Sequence, residues 1–370
     1  MLGGLKALFY ICAMLPDAAY MQRCLDLAQL GKGSVSPNPM VGAVLVYNGR
    51  IIGEGWHRIY GEAHAEVNCL ENVSEADKRL IPESTMYVSL EPCAHYGKTP
   101  PCAVRLVAEG VKKVVICNDD PFEKVDGRGL QILQAGGIET ITGLLKEKGL
   151  WLNRRFFCFH KQQRPYVILK WAQTANGYFA PYGNKRYQLS NELSTRLVHK
   201  WRTEEASIMV GTNTALADDP QLTARLWQGK QPLRLVIDRS LVLPRSLKLF
   251  NNDAEAWVFN DVKEDEAGNV RYVKMNFDDN LPATILTELY KANIQSVIIE
   301  GGAKLLNSFI SKGLWDEARI ITANTTLPHG IAAPLLVNGN KAFDTQLETD
   351  MLSLYVNNNS AYPYVEGMEL

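Results

Sequence analysis

The chain has 370 residues, 46% hydrophobic and 21% charged, an ordinary globular composition long enough for two domains with full cores. Its 39 basic and 40 acidic residues leave a net charge of −1, which gives no bulk electrostatic reason to expect a nucleic-acid partner. The seven cysteines are odd in number and lack the spacing of a small disulfide scaffold, so a reducing, cytoplasmic setting is expected.

Residues 1–16 carry Lys6 and then the apolar run Ala7–Leu15, too short to span a bilayer and followed by Pro16-Asp17 rather than a small-residue cleavage site. They are read as an extension of uncertain origin ahead of Met21, and no membrane partner is expected. From Asp17 the pattern alternates helix and strand. Met21, Cys24, Leu25 and Ala28 mark one helical face that Gly31 ends. Val41–Tyr47, Met86–Leu90 and Val114–Cys117 are apolar runs of strand length, with a helix over Ala103–Glu109 between the last two. Strands separated by helices predict a largely parallel, covered sheet.

Within this pattern, His64-Ala65-Glu66 is followed by Glu91-Pro92-Cys93 and Pro101-Cys102. A histidine and two cysteines are donors that zinc prefers, leaving a fourth tetrahedral position for water. Glu66 is not needed as a ligand and is free to move protons, the layout of zinc-dependent nucleobase deaminases. Residues i and i+2 face one metal only at a helix start, so a helix is expected to begin beside His64 and another beside Pro101, where the helix end lowers a thiol pKa. Asn38, between two prolines, can offer both faces of its amide to a pyrimidine ring, although a plain turn fits it equally. His95, Lys98 and Thr99, between the cysteines, suit a phosphate, with a solvated loop as the alternative. His57 either lines the same pocket or packs.

The cysteines stand nine positions apart, where the general deaminase pattern has Cys-x-x-Cys. The segments Pro37-Asn38-Pro39-Met40-Val41-Gly42, His64-Ala65-Glu66, Glu91 through Cys102, and Asp120-Pro121 with Gly127-Arg128-Gly129 resemble the bifunctional riboflavin-biosynthesis pyrimidine deaminase/reductase family. The resemblance extends over residues 17–370. It implies an α/β chain with an N-terminal cytidine-deaminase-like zinc domain, residues 17–160, followed by a dihydrofolate-reductase-like domain, residues 161–370, that uses NADPH.

Residues 156–165 are the expected junction, ending in a proline that discourages helix. Beyond it lies a strand over Tyr166–Trp171. The second half has no G-x-G-x-x-G, so a Rossmann reading is unsupported. It has instead a loop over Gly211–Arg225 after the strand Ser207–Val210, and Glu300-Gly301-Gly302 between a strand and a helix. Such a glycine pair lets a pyrophosphate approach backbone amides, although a tight turn fits it equally. Ser190-Asn191-Glu192 caps a helix with Leu193, Leu197, Val198 and Trp201 facing inward. The family resemblance implies Arg202, Leu222, Arg225 and Glu300 as substrate positions. It implies Ala172, Thr214, Asp218, Gly302, Ala303, Lys304, Leu305, Leu306, Asn307 and Ser308 as cofactor positions. The chain departs from the family at Thr174-Ala175-Asn176-Gly177, commonly Ser-Leu-Asp-Gly, and near Gln188, commonly Trp over the cofactor. Arg239 is a candidate for the 2′-phosphate of NADPH.

The implied activity is hydrolysis of the 2-amino group of 2,5-diamino-6-ribosylamino-4(3H)-pyrimidinone 5′-phosphate, with one zinc per chain, and then NADPH reduction of the ribosyl group. A homo-oligomer, dimer or tetramer, is expected. The alternatives are a nucleic-acid base deaminase with an accessory half, which would need a basic, aromatic-studded channel, and a deaminase with a degenerate, non-catalytic reductase half.

Overall fold

In the computed structural model, which describes residues 17–368 apart from 97–99, 123–124, 126 and 184–186, the first element is helix α1 over residues 17–29. Met21, Cys24, Leu25 and Ala28 are fully buried, the face that their spacing predicts. By contact the chain divides into two units, Met1–Lys161 with Val365–Leu370, and Gln162–Tyr364.

The first unit is built on strands β1 (Gly42–Tyr47), β2 (Arg50–Trp56), β3 (Thr85–Val88), β4 (Lys113–Ile116) and β5 (Glu139–Thr142), in the order β2-β1-β3-β4-β5. Helices α2 (Ala65–Glu71), α3 (Cys102–Ala108), α4 (Arg128–Ala135), α5 (Lys146–Leu152) and α6 (Arg154–Gln162) complete it. Only β3–β4 and β4–β5 are parallel; β1 runs antiparallel to both β2 and β3. The expected largely parallel sheet is therefore half antiparallel. The hairpin turns at Asn48-Gly49, both with positive φ, the dipeptide that suits a two-residue turn. β2 is lined by Gly53 and Gly55, and a Cβ on Gly55 would lie 2.3 Å from Cys69 N and 2.6 Å from Ala65 O. This close approach seats α2 directly on the backbone of β2. Ala43, Leu45, Met86, Val88, Val114 and Ile116 from the strands meet Ala65, Cys69, Leu70, Ala103, Leu106 and Leu133 from the helices in one core. The stretch expected as a junction is helical as far as Gln162, with Phe156, Phe157 and Phe159 buried.

The second unit is a ten-stranded sheet. Its elements are β6 (Tyr166–Thr174), β7 (Tyr178–Ala180), α7 (Glu192–Glu204), β8 (Ser207–Gly211), α8 (Thr212–Asp218), β9 (Leu233–Ile237), β10 (Ala256–Asn260), β11 (Asp265–Ala267) and β12 (Val270–Lys274). There follow α9 (Leu281–Lys291), β13 (Ser296–Glu300), α10 (Ala303–Ser311), β14 (Glu317–Ala323), β15 (Ile331–Ala332), β16 (Gly339–Leu347) and β17 (Asp350–Asn357). The order is β11-β12-β10-β9-β8-β13-β6-β14-β17-β16, with β7 and β15 forming a separate pair. From β12 to β14 every neighbouring pair is parallel. Successive side chains of a strand point to opposite faces. Val167, Leu169 and Trp171 of β6 pack with Ile285, Leu286 and Leu289 of α9 and Leu305, Leu306 and Phe309 of α10. Lys170, between them in sequence, points to the other face, toward α7.

Two local expectations are corrected. Leu193, expected on the inner face of α7, is 41% exposed, and the buried positions are Ser194, Val198, His199, Trp201 and Thr203. Asn191 caps α7 as expected, accepting from Ser194 N. The stretch after β8, expected as a loop, folds into α8 before it loops at Asp219.

Candidate active site

His64 is the N-cap of α2 and spends no side-chain bond on capping it. Cys102 is the first residue of α3, and Cys93 lies in the turn after β3. The ligand atoms of all three lie within 4.8 Å of one another. The His64 Nδ1 is 3.5 Å from Cys93 Sγ and 3.4 Å from Cys102 Sγ, and Cys102 N donates to Cys93 Sγ at 3.2 Å. A hydrogen bond from the Cys102 thiol, helped by His64, pulls the Cys93 thiol well below its ordinary value, while Cys102 is pushed up by that same bond and by burial. The bond to Cys93 raises His64 to about 9. One nitrogen and two sulfurs converging in this way are the donor set of a catalytic zinc with an open position.

Glu66, the second residue of α2, is buried, and burial raises its carboxyl to about 7 against the opposing pull of His64. Asn38 is linked to the His64 side of the site through His57. The Asn38 amide nitrogen is 3.2 Å from His57 Nε2, His57 Nδ1 is 3.1 Å from Ala63 O, and the His57 ring stands edge-on to that of His64 at 5.4 Å. Burial lowers the His57 pKa. Met40, next to the Pro37-Asn38-Pro39 turn, is held at both its N–H and its C=O by the Asn153 carboxamide, each at 2.8 Å. His95 is exposed, faces Phe122, and lines a cavity of about 480 Å³ with Arg128, Gln131 and Ile132. Lys98 and Thr99 lie outside the described residues.

In the second unit the expected positions gather at the carboxyl ends of β6, β8 and β13, where open α/β sheets bind ligands. Gly301 and Gly302, at φ +84° and +80°, lead into α10, and a Cβ on Gly302 would sit 3.0 Å from Thr214 Oγ1. Thr214 is in α8, Asp218 is its last residue, and Ala172 is near the end of β6. Further along α10 the expected cofactor positions disperse. Leu305 and Leu306 are core residues, Lys304 and Asn307 are exposed, and the Ser308 hydroxyl donates to Leu305 O. Gly302 and Ala303 alone sit at the mouth of the helix.

Glu300, at the end of β13, is gripped by Lys170 Nζ and Arg202 Nη2, each at 2.8 Å. Burial works to raise its pKa, but Arg202 and Lys170 outweigh that and hold it at about 2. Arg202 also donates to Thr223 O at 3.1 Å, and Arg225 N donates to His199 Nδ1 at 2.9 Å. Burial, then Arg202 and Arg225, lower His199 to about 4, so it accepts as a neutral ring. Leu222 is buried with φ +58°. Lys170 and Arg202 thus stand against the Glu300 carboxylate, with Arg225 close by on His199, a concentration of cations suited to an anion. Sequence reasoning missed Lys170 and His199. For Lys170 a signal existed: it is the lone charge in an apolar strand, and a buried charge needs a partner. Arg239 is 63% exposed and paired with Asp261. Gln188 donates to Ser190 O and Thr195 Oγ1 at the start of α7. Asn176 donates to Leu327 O and accepts from Thr174 Oγ1 and Leu327 N, so the amide serves the turn where the family commonly has Asp.

A family model of the cytidine and deoxycytidylate deaminase zinc-binding region matches residues 14–118, and one of the RibD C-terminal domain matches residues 165–352. The riboflavin biosynthesis protein RibD of Aquifex aeolicus is 36% identical over 324 residues, 85% of this chain and 89% of that protein. That of Escherichia coli is 34% identical over 83% of this chain and 87% of its own length. The chain belongs to the RibD family. A solved Thermotoga maritima diaminohydroxyphosphoribosylaminopyrimidine deaminase/5-amino-6-(5-phosphoribosylamino)uracil reductase matches with TM-score 0.84 at 32% identity, covering 92% of this chain and 98% of its own. Acinetobacter baumannii RibD matches with the same score and identity. The chain is accordingly a bifunctional enzyme of riboflavin biosynthesis, a zinc-dependent deaminase joined to an NADPH-dependent reductase. Among the described residues no helix is long and apolar enough to cross a membrane.

Proposed function

We propose that the first unit hydrolyses the 2-amino group of 2,5-diamino-6-ribosylamino-4(3H)-pyrimidinone 5′-phosphate and that the second reduces the ribosyl group of the product to give 5-amino-6-ribitylaminouracil 5′-phosphate. The convergence of His64, Cys93 and Cys102 beside buried Glu66 carries this reading. His64, Cys93 and Cys102 hold zinc, whose Lewis acidity makes water a nucleophile near neutral pH. Glu66 takes the proton from the attacking water and delivers it to the departing ammonia, so that C–NH₂ and water become C=O and NH₃. Asn38 orients the pyrimidine, and His95, with Lys98 and Thr99, meets the phosphate.

In the second unit bound NADPH would supply a hydride to the ribose C1 carbon of the open-chain imine form, with the nitrogen taking its proton from water, so that C=N becomes CH–NH. Thr214, Gly302 and Ala303 hold the cofactor, with Ala172 and Asp218 bordering it. Arg202 and Arg225 hold the 5′-phosphate. Glu300, fixed as a carboxylate, accepts from substrate hydroxyls, and Lys170 keeps it oriented. We further assign the enzyme to the cytoplasm, consistent with the absence of a disulfide among the six described cysteines, and to a homo-oligomer, a dimer or tetramer, which light scattering of the purified chain tests.

Metal analysis tests the ligand set. One zinc per chain is expected in the wild type and none in a Cys93→Ser, Cys102→Ser double variant, because both thiolates are needed. Full zinc content in that variant would overturn it.

A further inference from the structure

Glu91 precedes the Pro92-Cys93 turn and is 3% exposed, yet nothing in the reaction above uses it. Its carboxylate accepts three backbone N–H groups: Oε2 from Asp120 and from Gly127, and Oε1 from Leu130, each at 3.2 Å. Leu130 N is the third amide of α4, the one that an N-cap side chain ordinarily satisfies. The N-cap here is Gly127, which has no side chain to offer. Glu91 therefore caps α4 from 39 positions away. The contact is tight on the other side as well, since a Cβ on Gly129 would lie 2.1 Å from Pro92 O and 3.0 Å from Glu91 Oε1. The Glu91 main chain is fixed too, its N–H donating to Asn118 O at 2.9 Å, while Ala103 N donates to Cys93 O at 3.2 Å.

We infer that Glu91 is a positioning residue for the zinc site: its carboxylate ties the Cys93 turn to the start of α4 and so sets where the Cys93 sulfur stands relative to His64 and Cys102. A carboxylate suits this place because it only accepts, and each described group that bonds to it donates. Glutamine would turn an NH₂ toward backbone N–H groups and leave at least one of them unmatched. The inference rests on Cys93 being a zinc ligand.

The test measures zinc affinity of the full-length chain by chelator competition, together with the absorption spectrum of the cobalt(II)-loaded protein, for Glu91→Gln, Gly129→Ala and Cys93→Ser. Outer partners of metal ligands typically contribute roughly 10- to 100-fold in affinity, so Glu91→Gln should weaken zinc by that factor and alter the cobalt spectrum. NADPH oxidation with the deaminated substrate should stay at the wild-type rate. Gly129→Ala, which pushes the same turn with the carboxylate intact, should shift both readouts in the same direction. If Glu91→Gln does not yield folded protein, Glu91→Asp, with a stem one methylene shorter, is read in its place. A purely structural role would lower the melting temperature and leave zinc affinity and spectrum unchanged, and that result overturns the inference. Cys93→Ser separates the two levels: if it retains zinc, the ligand set and this inference both fall, whereas loss of zinc there with none in the Glu91 variants overturns the positioning role alone.

Discussion

Glu300 is a carboxylate held between two cations in a largely buried place, its side chain 15% exposed. Its folded pKa of about 2, against an ordinary value of 4.5, corresponds to stabilisation on the order of 3 kcal/mol. The folded value is the lower one, so the unfolded chain binds the proton more readily. The stabilisation is complete above about pH 4.5 and is lost as pH falls toward 2. Lys170→Met leaves the carboxylate with Arg202 alone and should lower the urea midpoint clearly at pH 7. Repeated at pH 3, the gap between variant and wild type should be smaller, and a gap that widens in acid would contradict this electrostatic account. Arg225 carries a different expectation. A charge-assisted contact to phosphate is worth roughly 1.5–3 kcal/mol, or about one to two decades in affinity. Arg225→Ala should raise the KM for the reductase substrate by that factor and leave the preference for NADPH over NADH intact. Loss of that preference with an unchanged KM would instead assign Arg225 to the cofactor's 2′-phosphate.

The elements differ in how far their sequence foretold them. α1 was legible from four apolar positions on one face, and the starts of α2 and α3 from the chemistry that His64-x-Glu66 and Pro101-Cys102 demand. β2 was not, because Gly53 and Gly55 interrupt its apolar pattern. Those glycines are there because α2 packs on the strand backbone, and the Asn48-Gly49 turn was the readable sign of the hairpin. With β2 missed, the sheet read as more parallel than it is. α8 read as a loop because Asp218-Asp219-Pro220 dominates its end, whereas residues 212–218 form two turns of helix after β8. Lys170 was hidden for the opposite reason: five apolar neighbours made its strand certain and drew attention from the single charge. Within α10, family likeness extended the cofactor positions along the whole segment, although a helix turns Leu305 and Leu306 inward.

At the scale of the molecule, the chain's final described residues belong with the first unit. Trp151, 2% exposed, donates its indole N–H to Met368 O at 2.9 Å. We propose that residues 17–161 carry the zinc and residues 162–364 bind NADPH independently. The first fragment then lacks its tail, losing one hydrogen bond worth about 1 kcal/mol and the burial of Met368, worth roughly 1.5–3 kcal/mol. It should bind zinc, melt below the full-length chain, and show red-shifted Trp151 fluorescence. A soluble second fragment without NADPH affinity would count against the division.

The central claim is that one chain runs two reactions in a fixed order, with Glu66 as the proton carrier of the first. NADPH oxidation by Glu66→Gln, followed with the diamino substrate and separately with its deaminated product, tests it most directly. Loss of the general acid/base should slow deamination by about 10²–10⁴-fold. The variant should therefore oxidise NADPH at the wild-type rate with the deaminated compound and hardly at all with the diamino one. Wild-type oxidation with the diamino substrate would show that Glu66 is not the proton carrier or that reduction does not wait for deamination, and the account would fail.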